Sequence, residues 1–215
     1  MPLDKKTITE AIKEAKAKSG GKKFNQTVDL ILNIMEIDMK APEGKITEVV
    51  ELPHVGKPNK VCVVASGELA MKARRGNADR VLERTDLDAL AGKKKDLRKM
   101  ANDYDVFVAE APLMPIVGKT LGPVLGPRGK MPIPVPPTAD VATIMEKHRK
   151  TVLVRMRNQP IIQVSIGTEN MSEDELSDNA QAVLRVIEAK LKRGMKNIRT
   201  AYIKTSMGTP VKIKP

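Results

Sequence analysis

The residues best placed to do chemistry lie in one run, Gly118-Lys119-Thr120-Leu121-Gly122-Pro123-Val124-Leu125-Gly126-Pro127-Arg128-Gly129-Lys130-Met131-Pro132. Glycine and proline each interrupt a backbone ladder in their own way, glycine by its entropy and proline by its missing N–H. The run therefore reads as a chain of turns rather than a regular helix or interior strand, with Leu121, Val124 and Leu125 tucked beneath. Its only charges are Lys119, Arg128 and Lys130, all positive. Backbone N–H groups and cations presented together suit phosphate or another anion. The two common nucleotide motifs do not fit. A P-loop needs glycine five residues before Gly118-Lys119-Thr120, where Leu113 stands, and the four glycines lack the Gly-x-Gly-x-x-Gly spacing.

Other chemistry is sparse. The two histidines, His54 and His148, are remote in sequence from each other, and Cys62 is the single cysteine, so no zinc-ligand spacing exists. No Gly-x-Ser-x-Gly elbow or His-Glu-x-x-His pair occurs. Glu173-Asp174-Glu175 reads as a helix N-terminus rather than a carboxylate dyad. The expectation is a protein that is not an enzyme, with no metal and no cofactor.

Charge points to a polyanion. The 215 residues carry a formal net charge of +12 and a pI near 9.8. Nucleic acid is the first candidate and an acidic membrane surface the second. No apolar run reaches the length needed to span a bilayer, and Met1-Pro2-Leu3-Asp4-Lys5-Lys6 lacks a signal-peptide core, which predicts no membrane association. A lone cysteine within Val61-Cys62-Val63-Val64 reads as a small buried hydrophobe and fits a reducing, cytoplasmic setting. Phe24, Tyr104, Phe107 and Tyr202 are the only aromatics, too few for a wide base-stacking platform. The chain is better matched to the backbone and shape of a folded, largely paired RNA.

The elements that must position these residues change character twice along the chain. Residues 4–18 read as a helix opened by a Thr7/Glu10 capping box and stopped by Ser19-Gly20-Gly21. Thr27–Met35 and Lys45–Leu52 read as strands. Val61–Ala65 and Val106–Ala109 are near-continuous apolar runs, the mark of parallel strands covered on both faces. Helices at Glu68–Arg75 and about Lys93–Asn102, with the short apolar Val81-Leu82 between them, and another at Ala139–Lys150, make that region a β/α alternation. From Thr151 the texture reverts to strands at Val152–Met156 and Ile161–Ile166. A helix follows from a Ser172/Glu175 capping box, with Lys190, Lys192 and Arg193 in its last turn and Gly194 at its end, and then a strand at Thr200–Thr205.

Three separated blocks carry a specific resemblance: the glycine-rich run, Lys23-Phe24-Asn25-Gln26-Thr27-Val28-Asp29, and Thr205-Ser206-Met207-Gly208. Together, and in this order, they resemble the L-one family of large-subunit ribosomal proteins in its archaeal form, over nearly the whole chain. The resemblance implies a structural, ribosome-associated RNA-binding protein on the 23S rRNA of the mobile stalk, near the tRNA exit site. It also implies translational repression by binding the protein's own mRNA, with exit-site tRNA as a further RNA partner and a monomer off the ribosome. Carried over by position, the RNA-binding residues are Lys23, Phe24, Thr27, Asp29, Thr205, Ser206, Met207 and Gly208. Bacterial members often have threonine where Ser206 stands, and many relatives have glutamate in place of Asp29. Lys119, Arg128 and Lys130 form a second RNA or anion surface. The competing reading is an α/β phosphate-ligand or nucleotide-binding enzyme using residues 118–132, against which both failed motif tests count.

The implied fold is an α+β split domain, two-layered with a mainly antiparallel sheet and helices, into which an α/β open-sheet (Rossmann-like) domain is inserted. The split domain spans 1–54 plus 151–215, and the inserted domain spans 55–150. Neither end alone offers enough elements for a good core, so pairing them is permitted by the periodicity as well. Counted this way, the inserted part holds 18 basic and 11 acidic residues, net +7. The ends hold 9 and 9 in 1–54 and 11 and 6 in 151–215, net +5. Charge favours the insert as the RNA binder and the family blocks favour the split part; fitted contacts outweigh net charge in specific affinity.

Overall fold

The computed structural model describes residues 4–20, 22–38, 44, 46–156 and 159–213. The chain folds as a mixed α/β protein in two compact units, residues 1–57 with 150–215, and residues 58–149. The start of the expected strand at Lys45 lies outside the described residues.

The first unit holds α1 (Lys5–Ala17), β1 (Thr27–Ile34) and β2 (Thr47–Glu51) from the N-terminal part. The C-terminal part adds β7 (Thr151–Arg155), β8 (Ile161–Thr168), α8 (Glu173–Lys190), β9 (Ile198–Thr205) and β10 (Val211–Lys212). Four strands form an antiparallel sheet in the order β10-β9-β1-β8, and β2 pairs with β7 in a second, two-stranded sheet. Strict alternation along β1 sends Val28, Leu30 and Leu32 into the core and leaves Thr27, Asp29, Ile31 and Asn33 on the opposite face. Ile8, Ile12 and Ala15 of α1 and the stripe Leu176, Ala180, Val183, Leu184, Ile187 of α8 cover the buried face. Buried Asn179 on α8 closes a polar link inside this core: its amide donates to the carbonyls of His54 and Ile166, both at 2.7 Å, and its oxygen accepts from the His54 N–H at 3.0 Å.

Two helix ends differ from the sequence expectation. α1 starts after Asp4, whose carbonyl accepts the Ile8 N–H, and Thr7 sits within the first turn with its hydroxyl donating to that same carbonyl at 2.8 Å. Thr7 is therefore not a cap. α8 opens on the expected box, Ser172 and Glu175 bonding each other's backbone N–H groups, but ends at Lys190. Lys192 and Arg193 lie beyond it; Lys190 pairs with Glu48 and Arg193 with Glu36.

The second unit is wound around a four-stranded parallel sheet of β3 (Val61–Val64), β4 (Arg80–Leu82), β5 (Val106–Glu110) and β6 (Ile133–Val135), in the order β4-β3-β5-β6. All four residues of β3 are buried, because helices cover both faces. Val61 and Val63 face α2 (Gly67–Arg75) and α7 (Val141–Arg149). Cys62 and Val64 face the layer of α3 (Arg84–Leu90), α4 (Lys94–Asp103), α5 (Met114–Thr120) and α6 (Gly122–Arg128). Burial pushes the Cys62 thiol up to about 12, which leaves it protonated and inert.

The glycine-rich run corrects the sequence reading. Much of it is helical: α5 ends in it and α6 lies wholly inside it. Pro115 and Pro123 occupy first-turn positions, where a missing N–H costs nothing and a fixed φ helps. Pro127 falls in the last turn of α6, so it removes little of a helix already ending. Gly129, at φ +77°, then closes α6: its N–H bonds the Gly126 carbonyl and the Lys130 N–H bonds the Leu125 carbonyl, the double bond pattern of a left-handed C-terminal cap. Leu113, Val117, Leu121 and Leu125 recur every fourth residue and all are buried, which supplies the driving force.

Candidate nucleic-acid interface

β1 begins and β9 ends at the same edge of the four-stranded sheet, because the strands run antiparallel with Val28 opposite Thr205. This register brings residues 22–29 beside residues 205–208. The join is bonded on both sides. The Ser206 N–H donates to the Thr27 carbonyl at 3.0 Å, and the Thr27 N–H donates to the Ser206 hydroxyl at 3.2 Å.

Beneath this join lies a polar knot that the sequence did not single out. Gln26 is fully buried, and its side-chain oxygen accepts the Met207 N–H at 2.9 Å. Its amide donates to the Glu169 carboxylate at 3.2 Å and to the Ser19 carbonyl at 3.4 Å. The Ser19 hydroxyl donates to the same carboxylate at 2.5 Å, and the Glu169 N–H donates to the Gln26 carbonyl at 2.8 Å. One side chain thus ties the end of α1, the entrance of β1, the exit of β8 and the loop after β9. Gly208 fits the same knot because its neighbour leaves no room: a Cβ there would stand 2.2 Å from Thr205 Oγ1.

Gln26 and Ser19 are buried and Glu169 is half-buried, and what they hold up is exposed. Phe24 is 54% and Met207 is 65% exposed, two large apolar side chains held out at one sheet end. Lys22, Lys23, Phe24 and Asn25 line a recess with Glu169 and Asn170. Of the eight residues carried over by resemblance, Lys23, Phe24, Ser206 and Met207 are exposed, and Thr27, Asp29 and Gly208 are half-buried. Thr205 is fully buried on the core face, so its side chain shapes the turn from within. Asp29 lies across from Lys204 on the open face of the sheet. Partial burial raises the Asp29 carboxyl above its ordinary value, and the Lys204 charge opposes that rise.

The second set separates. Lys119 and Arg128 border a groove between α4 and α5–α6. Lys130 is otherwise engaged: its ammonium donates to the carbonyls of Ala101 at 3.1 Å and Tyr104 at 2.7 Å, closing the C-terminal end of α4.

The nucleotide-enzyme reading meets an occupied crevice. An open parallel sheet binds ligands at the carboxyl ends of its strands where the strand order reverses, here between β3 and β5. There the buried Glu110 carboxylate accepts the Ser66 N–H at 2.9 Å and the Ser66 hydroxyl at 2.7 Å. The protein's own carboxylate fills the anion position at the start of α2. Lys130, bonded beside the amino end of β5, is at the opposite edge of the sheet.

The model of the Ribosomal protein L1p/L10e family matches residues 5–209. The chain is 44% identical to the large ribosomal subunit protein uL1 of Pyrococcus abyssi over 216 residues, covering 100% of this chain and 98% of that protein. It is 44% identical to that of Methanothermobacter thermautotrophicus over 207 residues, 96% of this chain and 98% of that protein. With that of Archaeoglobus fulgidus it shares 41% over 214 residues, 99% of this chain and 100% of that protein. With the family model and these relatives spanning almost its full length, the chain belongs to the Ribosomal protein L1p/L10e family.

Proposed function

We propose that this large-subunit ribosomal protein, which is not an enzyme, grips 23S rRNA at the mobile stalk near the tRNA exit site through the sheet end built by residues 22–29 and 205–208. The observation that carries the reading is the pairing of Phe24 and Met207. They come from opposite ends of the chain and stand more than half exposed, and the Met207 N–H is held by the buried side chain of Gln26, two residues after Phe24. Exposed apolar groups on a pre-formed base can pack against ribose, while the nearby hydroxyls and backbone groups reach 2′-OH groups. The same surface would take an RNA element of similar shape in the protein's own messenger and so repress its translation, with exit-site tRNA a neighbour of the bound stalk.

Charge supports this assignment once the observed boundary is used. Residues 1–57 with 150–215 hold 22 basic and 15 acidic residues, net +7, and residues 58–149 hold 16 and 11, net +5. Lys57 and Lys150 change sides relative to the sequence division and reverse the order of the two units. Steering and fitted contacts therefore favour the same unit.

Phe24→Ala and Met207→Ala are each expected to weaken binding of the full chain to stalk rRNA by about 1–3 kcal/mol, the range of central contacts and base-packing side chains. Both side chains are exposed, so the melting temperature should hardly move. Titration against a stalk rRNA fragment at one fixed salt checks it, and unchanged affinity in both variants would remove the proposed surface.

A further inference from the structure

The groove between α4 and α5–α6 is built differently from the sheet end. Lys94 and Arg98 on α4, Lys119 on α5 and Arg128 on α6 border it, and among the described residues no acidic side chain lines it. Among the described residues Lys94, Arg98 and Lys119 form no ion pair, and Arg128 donates only to the neutral side chain of Asn102. The other face of α4 shows the contrast. The cavity there mixes Arg80 and Lys99 with Asp96 and Asp103, so its charges cancel.

Between the four cations the floor is aliphatic, made by Leu97, Pro123, Val124 and Pro127 in a cavity of about 520 Å³. That combination discriminates among anionic ligands. A phosphodiester backbone would meet the cations but gain nothing from covering prolines and a valine, and no aromatic side chain is present to stack a base. An amphipathic helix satisfies both halves, laying apolar side chains at i, i+3, i+4 and i+7 on the floor with carboxylates toward the rim. The area between the cations stays apolar because α5 and α6 point Val117, Leu121 and Leu125 inward and leave Pro123 and Pro127 exposed, with Val124 half-buried between them.

We propose that this groove is a docking site for an acidic amphipathic helix of a partner protein. The sheet end takes RNA and the groove takes protein, so one chain would join the two. Lys94, Arg98 and Lys119 steer the acidic helix in and reject cationic partners, and the aliphatic floor selects for helical spacing.

The probe is a synthetic 18-residue peptide of leucine and glutamate in helical spacing, titrated into the isotope-labelled full chain and followed by backbone amide shifts. Controls are a scrambled peptide of the same composition, a leucine-to-serine version, and a short RNA duplex. The patterned peptide should move the amides of Leu97, Thr120 and Val124 and bind at least tenfold more tightly than either control peptide. Lys94→Glu with Arg98→Glu and Lys119→Glu should weaken it at least tenfold while leaving the melting temperature in place, since all three side chains are exposed, and leaving the ratio of stalk rRNA to unrelated-duplex affinity within about twofold, since lost positive charge weakens both alike. Equal binding of the scrambled or serine peptides would reduce the groove to a general charge effect and overturn the proposal. So would an RNA duplex that moves the groove amides where the patterned peptide does not. Neither result touches the sheet-end assignment, which is read separately by stalk affinity.

Discussion

Gln26→Leu is expected to destabilise the protein by roughly 3 kcal/mol, although leucine nearly conserves the volume and adds no charge. The cost arises from the partners left behind. The Met207 N–H loses its acceptor, and the Glu169 carboxylate and the Ser19 carbonyl lose a donor. A buried group left unpaired costs about 1–3 kcal/mol; the Glu169 carboxylate and the Met207 N–H are only partly buried, and the surviving Ser19–Glu169 bond offsets part of the sum. Glu169 relaxing toward water would release the Met207 loop from β1, so stalk rRNA affinity should fall at least tenfold beside the stability loss. Denaturant unfolding with titration of the same sample checks both. Gln26→Glu separates the roles: it keeps an acceptor for Met207 but sets two carboxylates together, and should be worse at neutral pH than near pH 4. Stability unchanged in Gln26→Leu would mean that the knot does not hold the surface.

Gly208→Ala gives the second large effect, about 1–3 kcal/mol from forced overpacking. The added methyl cannot be absorbed by a flexible side-chain end, because the atom 2.2 Å away is the hydroxyl of a fully buried β-branched residue. Thr205 Oγ1 has no hydrogen-bond partner among the described residues, which makes it removable. Thr205→Ala should therefore restore much of the loss when combined with Gly208→Ala, giving a coupling energy of about 1 kcal/mol or more in a double-mutant cycle. Additive losses would place the strain elsewhere. RNA affinity should follow the same pattern, because the turn that Gly208 closes is the one that carries Met207 outward.

Much of the architecture was legible in residue patterns. β-Branched and apolar content marked β1, alternation marked β8, unbroken apolar runs marked β3 and β5, and Ser172 with Glu175 marked the start of α8. What failed were local rules met by a stronger non-local term. Glycine and proline content argued against helix across 118–132, yet Leu113, Val117, Leu121 and Leu125 bury one continuous stripe and the prolines fall where a helix tolerates them. That four-residue spacing was visible and would have found α5 and α6. α3 has one fully buried residue, Leu87, and β10 is two residues long, so neither leaves a periodic signal.

The candidate site divides in the same way. Phe24 and Met207 were readable through the family blocks. Gln26 lay inside one block, but its partner Glu169 is 143 positions away and is brought to it only by strand pairing. Lys130 illustrates the opposite limit. Its residue type suggested an anion, while the fold turns its ammonium onto two carbonyls.

The central claim is that the sheet end of the split unit, and not the cationic groove of the inserted unit, confers RNA specificity. The most direct measurement is the ratio of affinities of the full chain for stalk rRNA and for an unrelated duplex, at one fixed salt. It is taken for the wild type, for Phe24→Ala/Met207→Ala, and for Lys119→Glu/Arg128→Glu. The account predicts that the first double variant lowers the ratio at least tenfold, and that the second leaves it within about twofold even if both affinities decline with lost positive charge. A ratio kept by the sheet-end variant and lost by the groove variant would contradict it.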